Sequence, residues 1–187
     1  MLTGKLVRLR KYEPEDVDRV LGWMNDREVT QYLAARYPFS RAQEERWLER
    51  VSHQPPSEGL ALAIETLAEA RHVGTVNLHD IGWEDRHATL GITIGEKDCW
   101  GQGYGTDAIV TLLRYAFDWM NLHRVDLMVW SENPRAIASY RKCGFVEEGR
   151  LRQDQYQSGA FQDVLVMGVL KDEFRALHGS PSLEGAV

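Results

Sequence analysis

The chain has 187 residues, a formal net charge of −6 and 43% hydrophobic residues. This length fits one domain that buries a core without disulfides or a structural metal. We expect no nucleic-acid binding, because an acidic chain without a basic run lacks the side chains that neutralise phosphates. No window approaches the roughly 18 apolar residues that cross a bilayer, so no membrane partner is expected either.

Hydrophobic periodicity predicts the secondary structure along the chain. Two-residue alternation indicates short strands, and apolar residues three or four apart indicate helices, with Pro14 at one helix start and the capping-box pair Ser40 and Gln43 at another. The predicted elements are a strand over Lys5–Arg10, a helix from Pro14 to Met24, a short turn near Val29–Leu33, a helix from Ser40 to Pro55, strands over Leu60–Thr66, Val73–Ile81 and Ala88–Ile94, a helix from Ile109 to Met120, a strand over Arg124–Trp130, a helix from Asn133 to Gly144, and strands over Phe145–Gln155 and Gln162–Leu170 around a Ser158-Gly159 turn.

This order predicts an α+β fold with an antiparallel meander, a central βαβ crossover and a terminal hairpin. We assign the domain to residues 1–177 and expect a disordered tail over residues 178–187, which contain Gly179, Ser180 and Pro181.

The N-terminus and the cysteines indicate the compartment. Met1–Leu6 has no long apolar core followed by a small-residue cleavage site, which predicts a cytoplasmic protein. Cys99 and Cys143 have neither a metal-ligand spacing nor the density of a secreted scaffold. We therefore expect two free thiols and no metal site.

The segment Trp100-Gly101-Gln102-Gly103-Tyr104-Gly105-Thr106 lies between a predicted strand and the most regular helix. Glycines at every second position let the backbone approach a ligand closely and turn successive N–H groups toward an anion. The following helix N-terminus adds its partial positive charge. Together these features predict a pyrophosphate cradle.

Other interpretations of this segment remain. It could be a tight strand-to-helix turn without a ligand. It is not a P-loop, because no Gly-Lys-Ser/Thr follows, and its third glycine and a paired acidic residue are not placed as in a dinucleotide-binding fingerprint.

A second segment, Asn133 to Phe145, follows one strand later with an N-cap, Pro134 at the first helical position and Gly144 suited to the C-cap. The two segments, in this order and spacing, resemble the GNAT family of acetyl-CoA-dependent N-acetyltransferases. The closest resemblance is to its branch of ribosomal-protein N-terminal and spermidine acetyltransferases. It covers most of the chain and is most specific from Ala88 to Phe145.

The resemblance implies a single GNAT-type domain. This domain has a mixed, mostly antiparallel central sheet, helices on both faces and a βαβ acetyl-CoA-binding core. It also implies transfer of the acetyl group of acetyl-CoA to a primary amine by direct attack in a ternary complex. The acceptor would be a protein N-terminus, a polyamine or another small amine, and self-association into a homodimer is expected.

The resemblance further implies a set of cofactor-binding residues. The glycine turn would hold the pyrophosphate through backbone N–H groups, and one strand edge would pair with the pantetheine amides. The general family pattern has Gln or Arg at the position of Trp100. A packing role would explain this tryptophan equally well as direct contact with CoA. The implied residues are Ile92, Thr93, Ile94, Trp100, Gly101, Gln102, Gly103, Tyr104, Gly105, Thr106, Asn133, Arg135, Ala136 and Tyr140.

The catalytic residue implied by the resemblance is Tyr140, which would protonate the departing thiolate as a general acid. The base is open, because relatives often carry Glu where this chain has Thr89. Asn77 and His79 alternate with apolar residues on the neighbouring strand, and His79 is kept as a candidate. A water relay is preferred.

Two other functions stay open at this stage. The lost strand Glu allows a weak or inactive CoA-binding sensor, and a generic phosphate-binding domain would not select acetyl-CoA over ADP. Acceptor identity is expected to depend on residues 23–38 and 155–161, because loops on a rigid scaffold commonly carry specificity.

Overall fold

A computed structural model describes residues 2–157 and 159–179. The elements within these residues are β1 (Leu2–Thr3), β2 (Val7–Arg10), α1 (Val17–Met24), α2 (Arg27–Thr30), α3 (Arg41–His53), β3 (Leu60–Thr66), β4 (His72–Gly82), β5 (His87–Ile94), α4 (Tyr104–Asp118), β6 (Arg124–Trp130), α5 (Pro134–Cys143), β7 (Val146–Gln157), β8 (Ala160–Leu170) and α6 (Lys171–His178). Short 3-10 helices cover Pro14–Asp16 and Lys97–Cys99.

The strands form one mixed sheet in the order β1-β2-β3-β4-β5-β6-β8-β7. Every neighbouring pair is antiparallel except β5 and β6, which are parallel and are joined through α4. A parallel pair needs such a crossover, and the α4 helix supplies it. The predicted α+β fold with a central βαβ unit is confirmed.

Helices cover both faces of the sheet, as predicted. On one face α4 buries Ile109, Leu112 and Phe117 in the larger core cluster. On the other face, α1 to α3 form a smaller cluster around Ala63 of β3. These helices cover the part of the sheet around β3.

Local sequence signals explain most element ends. Ser40 and Gln43 make the predicted capping box at α3. The Asn133 side chain accepts a hydrogen bond from the Ala136 backbone N–H, and Gly144 ends α5 at a φ of 103°, a value that favours glycine. Both cysteines are free, as predicted, and both are buried.

The structure differs from the sequence prediction at several ends. The α4 helix stops at Asp118, before Met120, and Asn121 then takes a positive φ of 55°. The terminal strands extend to Gln157 and begin at Ala160, and Ser158 of the predicted turn lies outside the described residues.

The C-terminal helix α6 was not predicted. It buries Phe174, whose ring lies 5.3 Å from that of Phe117. His178, the first residue of the predicted tail, is the last residue of this helix. Residues 180–187 lie outside the described residues, so the tail stays a prediction.

Candidate active site: a cleft between two parallel strands

The strands β5 and β6 pair only at their start. Their register joins His87, Ala88 and Thr89 to Arg124, Val125 and Asp126 in turn. Beyond Thr89, the two strands separate, and the edge of Leu90–Ile94 that faces β6 has no strand partner in the described register. Unpaired strand edges present backbone N–H and C=O groups to a ligand.

A cleft of about 440 Å³ occupies this separation. Its volume is within the range of roughly 300–1,000 Å³ that is usual for small-molecule sites. The predicted residues that line it are Ile92, Thr93, Ile94, Trp100, Gly101, Gly103, Gly105, Thr106, Asn133, Arg135, Ala136 and Tyr140. The fold therefore brings both sequence motifs and the strand edge to one site.

Two predicted residues do not line the cleft. The Gln102 side chain donates to the backbone carbonyl of Asp98, and Tyr104 packs against the main core. Any contribution of these two residues to a ligand would come from their backbone. Such a contribution is consistent with a cradle built from main-chain N–H groups.

The glycine turn opens helix α4 in the conformation that glycine favours. Gly101 has a φ of 76°, and Gly103, the N-cap of α4, has a φ of 89°. No atom lies within 4 Å of a Cβ placed on Gly101, so the backbone there is open to a ligand. The turn combines an exposed main chain with a helix N-terminus, which suits a phosphate group.

Trp100 connects the turn to the neighbouring elements. Its indole N–H donates to the Ile94 carbonyl at 2.7 Å, and the Arg135 guanidinium lies 3.9 Å from its ring centroid. Trp100 also packs against the smaller core cluster. It therefore supports the site by joining the end of β5 to the start of α5.

The first turn of α4 is held against the middle and the C-terminal end of α5. The hydroxyl oxygens of Thr106 and Ser139 lie 2.8 Å apart, and the Cys143 thiol lies 3.7 Å from the Thr106 carbonyl oxygen. Burial raises the pKa of Cys143 to about 12, so this thiol stays protonated and packs as an apolar group. These contacts fix the spacing of the two motifs.

Tyr140 projects from α5 and lines the wall of the cleft. It is buried, with 8% exposure, and its ring packs edge-on against Phe145 at 5.9 Å. Burial raises the pKa of Tyr140 to about 12. The hydroxyl therefore holds its proton throughout the physiological range.

Neither Asn77 nor His79 lines the cleft. Both line a separate groove between α3 and strands β3 and β4. His79 is exposed and its Nδ1 lies 2.9 Å from an Asp80 carboxylate oxygen. The structure therefore separates the candidate base His79 from Tyr140, because His79 lies on the neighbouring strand β4 and lines the second groove.

The α2 region closes one side of the cleft, and the sequence indicated it only as a region of specificity. Val29, Tyr32 and Leu33 line the cleft together with Met128 of β6. Two carboxylates of the same region, Asp26 and Glu28, bind Lys97 at 2.8 and 2.9 Å. Met128 was missed because its separation from β5 depends on where the two strands stop pairing.

Among the described residues, no helix is long and apolar enough to cross a membrane. In the same part of the chain, no group of three or more His, Cys, Asp or Glu side chains is placed to hold a metal ion.

Comparisons with known proteins agree with this geometry. A family model described as "Acetyltransferase (GNAT) domain" matches residues 7–146. The chain is 30% identical to the uncharacterized N-acetyltransferase p20 of Bacillus licheniformis over 168 residues, covering 89% of this chain and 93% of that protein. It is 36% identical to spermidine N(1)-acetyltransferase of Vibrio cholerae over 107 residues, 57% of this chain and 61% of the relative.

A solved structure gives the same result. Spermidine N-acetyltransferase from Vibrio cholerae in complex with CoA and spermine matches with a TM-score of 0.81 and 30% identity, over 90% of this chain and 97% of that one. Fold and sequence together define a CoA-dependent acyltransferase. The chain belongs to the GNAT acetyltransferase family and is an acetyl-CoA-dependent N-acetyltransferase. The predicted family, activity class and co-substrate are confirmed.

Proposed function

We propose that the cleft between β5 and β6 presents the acetyl group of acetyl-CoA to a primary amine, which attacks it directly in a ternary complex. The observation that carries this proposal is the end of strand pairing at Thr89, which leaves a cleft beside the glycine turn. Alignment of the two reactants in such a cleft supplies several kcal/mol of catalysis by itself.

The residues present fit acetyl-CoA. The backbone N–H groups from Gly101 to Thr106 hold the pyrophosphate, and the free edge of Ile92–Ile94 binds the pantetheine amides. The exposed side chains of Arg135 and Lys142 line the same cleft and add positive charge beside the phosphate site. Asn133 and Ala136 complete the contact at the start of α5.

Tyr140 acts as the general acid. It holds its proton because burial raises its pKa, and it lies in the wall of the cleft that also contains the strand edge. The thiolate that departs as the C–S bond breaks takes this proton. A positioned acid is typically worth about 10²–10⁴ in rate.

The acceptor is a small primary amine, with polyamines as the first candidates. The support is the likeness to spermidine acetyltransferases, one of them solved with spermine. A protein N-terminus is the second candidate, since the branch identified from the sequence includes enzymes with such acceptors. Assembly as a homodimer and a cytoplasmic location remain predictions.

An acceptor screen tests this proposal. Thiol release from acetyl-CoA is measured with spermidine, spermine, an aminoglycoside and short peptides with free N-termini, and products are identified by mass spectrometry. We expect acceptor-dependent thiol release and a product heavier by one acetyl group. Acetyl-CoA binding without turnover of any acceptor would instead support the CoA-binding sensor suggested by Thr89.

A further inference from the structure

Asp126 lies where the paired part of β5 and β6 ends. It is the last residue of β6 in register with β5, opposite Thr89. The Thr89 hydroxyl donates to Asp126 Oδ1 at 3.0 Å. This bond fixes a carboxylate at the closed end of the cleft.

Strand alternation determines the face on which this carboxylate lies. Ala88, Leu90, Val125 and Leu127 are buried in the core cluster beneath α4. Because neighbouring side chains of a strand point to opposite faces, Asp126 points away from α4. The side chains of Met128 and Trp130 share its face.

Residues of the α2 region pack on this same face of β6 and line one side of the cleft. The Tyr32 ring, from the α2 region, lies 6.4 Å from the Trp130 ring in an edge-on arrangement. Tyr32 and Met128 both line the cleft. Asp126 does not line the cleft itself, but it precedes Met128 by two residues on the same face. It therefore lies next to the half of the cleft that is formed by α2 and β6, and Tyr140 lies on the helix-covered side.

The charge at Asp126 is only partly compensated. Arg124 Nε lies 3.5 Å from Asp126 Oδ2, but the two Nη atoms of Arg124 bind Glu148, one of them at 2.6 Å. One guanidinium thus serves two carboxylates, and the three side chains together carry one net negative charge. The Asp126 side chain is 28% exposed and can meet a solvated cation.

Among the described residues that line the cleft, the charged side chains are the cations Arg135 and Lys142. They favour an anionic ligand at the glycine turn. The negative charge at Asp126 favours a cation at the opposite end of the cleft. The charge therefore changes sign between the glycine turn and the point where β5 and β6 stop pairing.

We propose that Asp126 is the proton acceptor for the amine substrate, acting through one bridging water at the closed end of the cleft. This inference rests on the proposed function. An alkylammonium with a pKa near 10 must lose a proton before it can attack, and a carboxylate within one water of it provides a route.

The proton and electron changes balance as follows. The ammonium gives one proton through water to Asp126, and the neutral nitrogen forms the C–N bond with the acetyl carbon. The C–S bond breaks and the thiolate takes the Tyr140 proton. The second nitrogen proton returns to Tyr140 through water, and Asp126 releases its proton to solvent.

Asp126→Asn tests the inference with little change in shape, because the amide oxygen still accepts from Thr89. We expect kcat/KM for the amine to fall about 10²-fold, with acetyl-CoA affinity and melting temperature unchanged. Moving the carboxylate across the strand pair, by Thr89→Asp or Thr89→Glu in the Asp126→Asn background, should recover most of the rate.

Glu147→Gln is the matched control, because it removes a neighbouring carboxylate of β7 that pairs with Arg141 and not with Arg124, and its rate should match wild type. Wild-type kcat/KM in Asp126→Asn, or a loss that neither Thr89 substitution recovers, would overturn the proposal. Failure of the proposed function itself is distinct, because wild-type protein would then release no thiol with any amine.

Discussion

Arg36 donates a hydrogen bond of 3.0 Å to the Gln155 side chain and so joins the loop after α2 to the hairpin of β7 and β8. The two residues are 119 positions apart in sequence. Both lie within the segments that the sequence indicated for acceptor recognition. The fold thus brings these two segments into contact.

Breaking this bond should affect the acceptor and not acetyl-CoA. A hydrogen bond contributes about 0.5–1.5 kcal/mol, so Arg36→Ala or Gln155→Ala should raise the acceptor KM about two- to tenfold. The double variant should cost no more than either single one, because the residues share one interaction. Steady-state kinetics with a fixed saturating acetyl-CoA concentration measures this.

Arg41→Ala is the control for that experiment, since Arg41 binds Asp18 of α1 and Glu45 of α3 at the surface. Its acceptor KM should match wild type. Equal changes in acceptor KM and acetyl-CoA affinity would contradict a role confined to the acceptor side.

Gly103→Glu should abolish acetyl-CoA binding. The substitution places a carboxylate and a Cβ at a backbone position with a φ of 89°, beside the proposed phosphate site. Isothermal calorimetry measures the affinity, and circular dichroism checks the fold. Gly149→Glu, on β7 with no atom within 4 Å of an added Cβ, is the matched control. Unchanged affinity in folded Gly103→Glu would remove the glycine turn from the site.

Sequence patterns predicted the scaffold of the site well because the signals there are local. The Asn133 cap, the Gly144 left-handed end and the capping box at Ser40 each depend on residues within one or two helical turns. The strand bounds of β3 and β6 match the prediction, because β3 is a short apolar run between polar turns and β6 alternates Val125, Leu127 and Val129 with other residues.

The parts that sequence missed depend on register and long-range packing. The bond between Thr89 and Asp126 depends on the register of two parallel strands, in which these residues form the last pair, and no local pattern encodes that register. His79 and Asn77 alternate with the apolar residues Val76 and Leu78, which suggested that both could face the cleft, but both line the second groove. The short helix α6 is held chiefly by one buried phenylalanine, Phe174, which gives a weak periodic signal.

The pH dependence of turnover follows from the raised pKa of Tyr140. An acid with a folded-state pKa of about 12 stays protonated as pH rises through neutrality, so its proton remains available. The rate should therefore increase as the amine deprotonates toward its pKa of about 10, without an earlier decline. Initial rates across pH with one fixed amine measure this. An alkaline loss centred below about 10, the unperturbed tyrosine value, would contradict the assignment.

The most direct test of the account is Tyr140→Phe, which removes one hydroxyl and keeps the ring that packs on Phe145. Steady-state kcat and calorimetric acetyl-CoA affinity are measured beside Tyr115→Phe, a tyrosine on α4 that packs against the core outside the cleft lining. We expect kcat to fall about 10²–10⁴-fold in Tyr140→Phe, with unchanged affinity, and to stay at the wild-type value in Tyr115→Phe. Wild-type kcat in Tyr140→Phe would contradict proton donation by Tyr140 and leave alignment of the reactants as the source of catalysis.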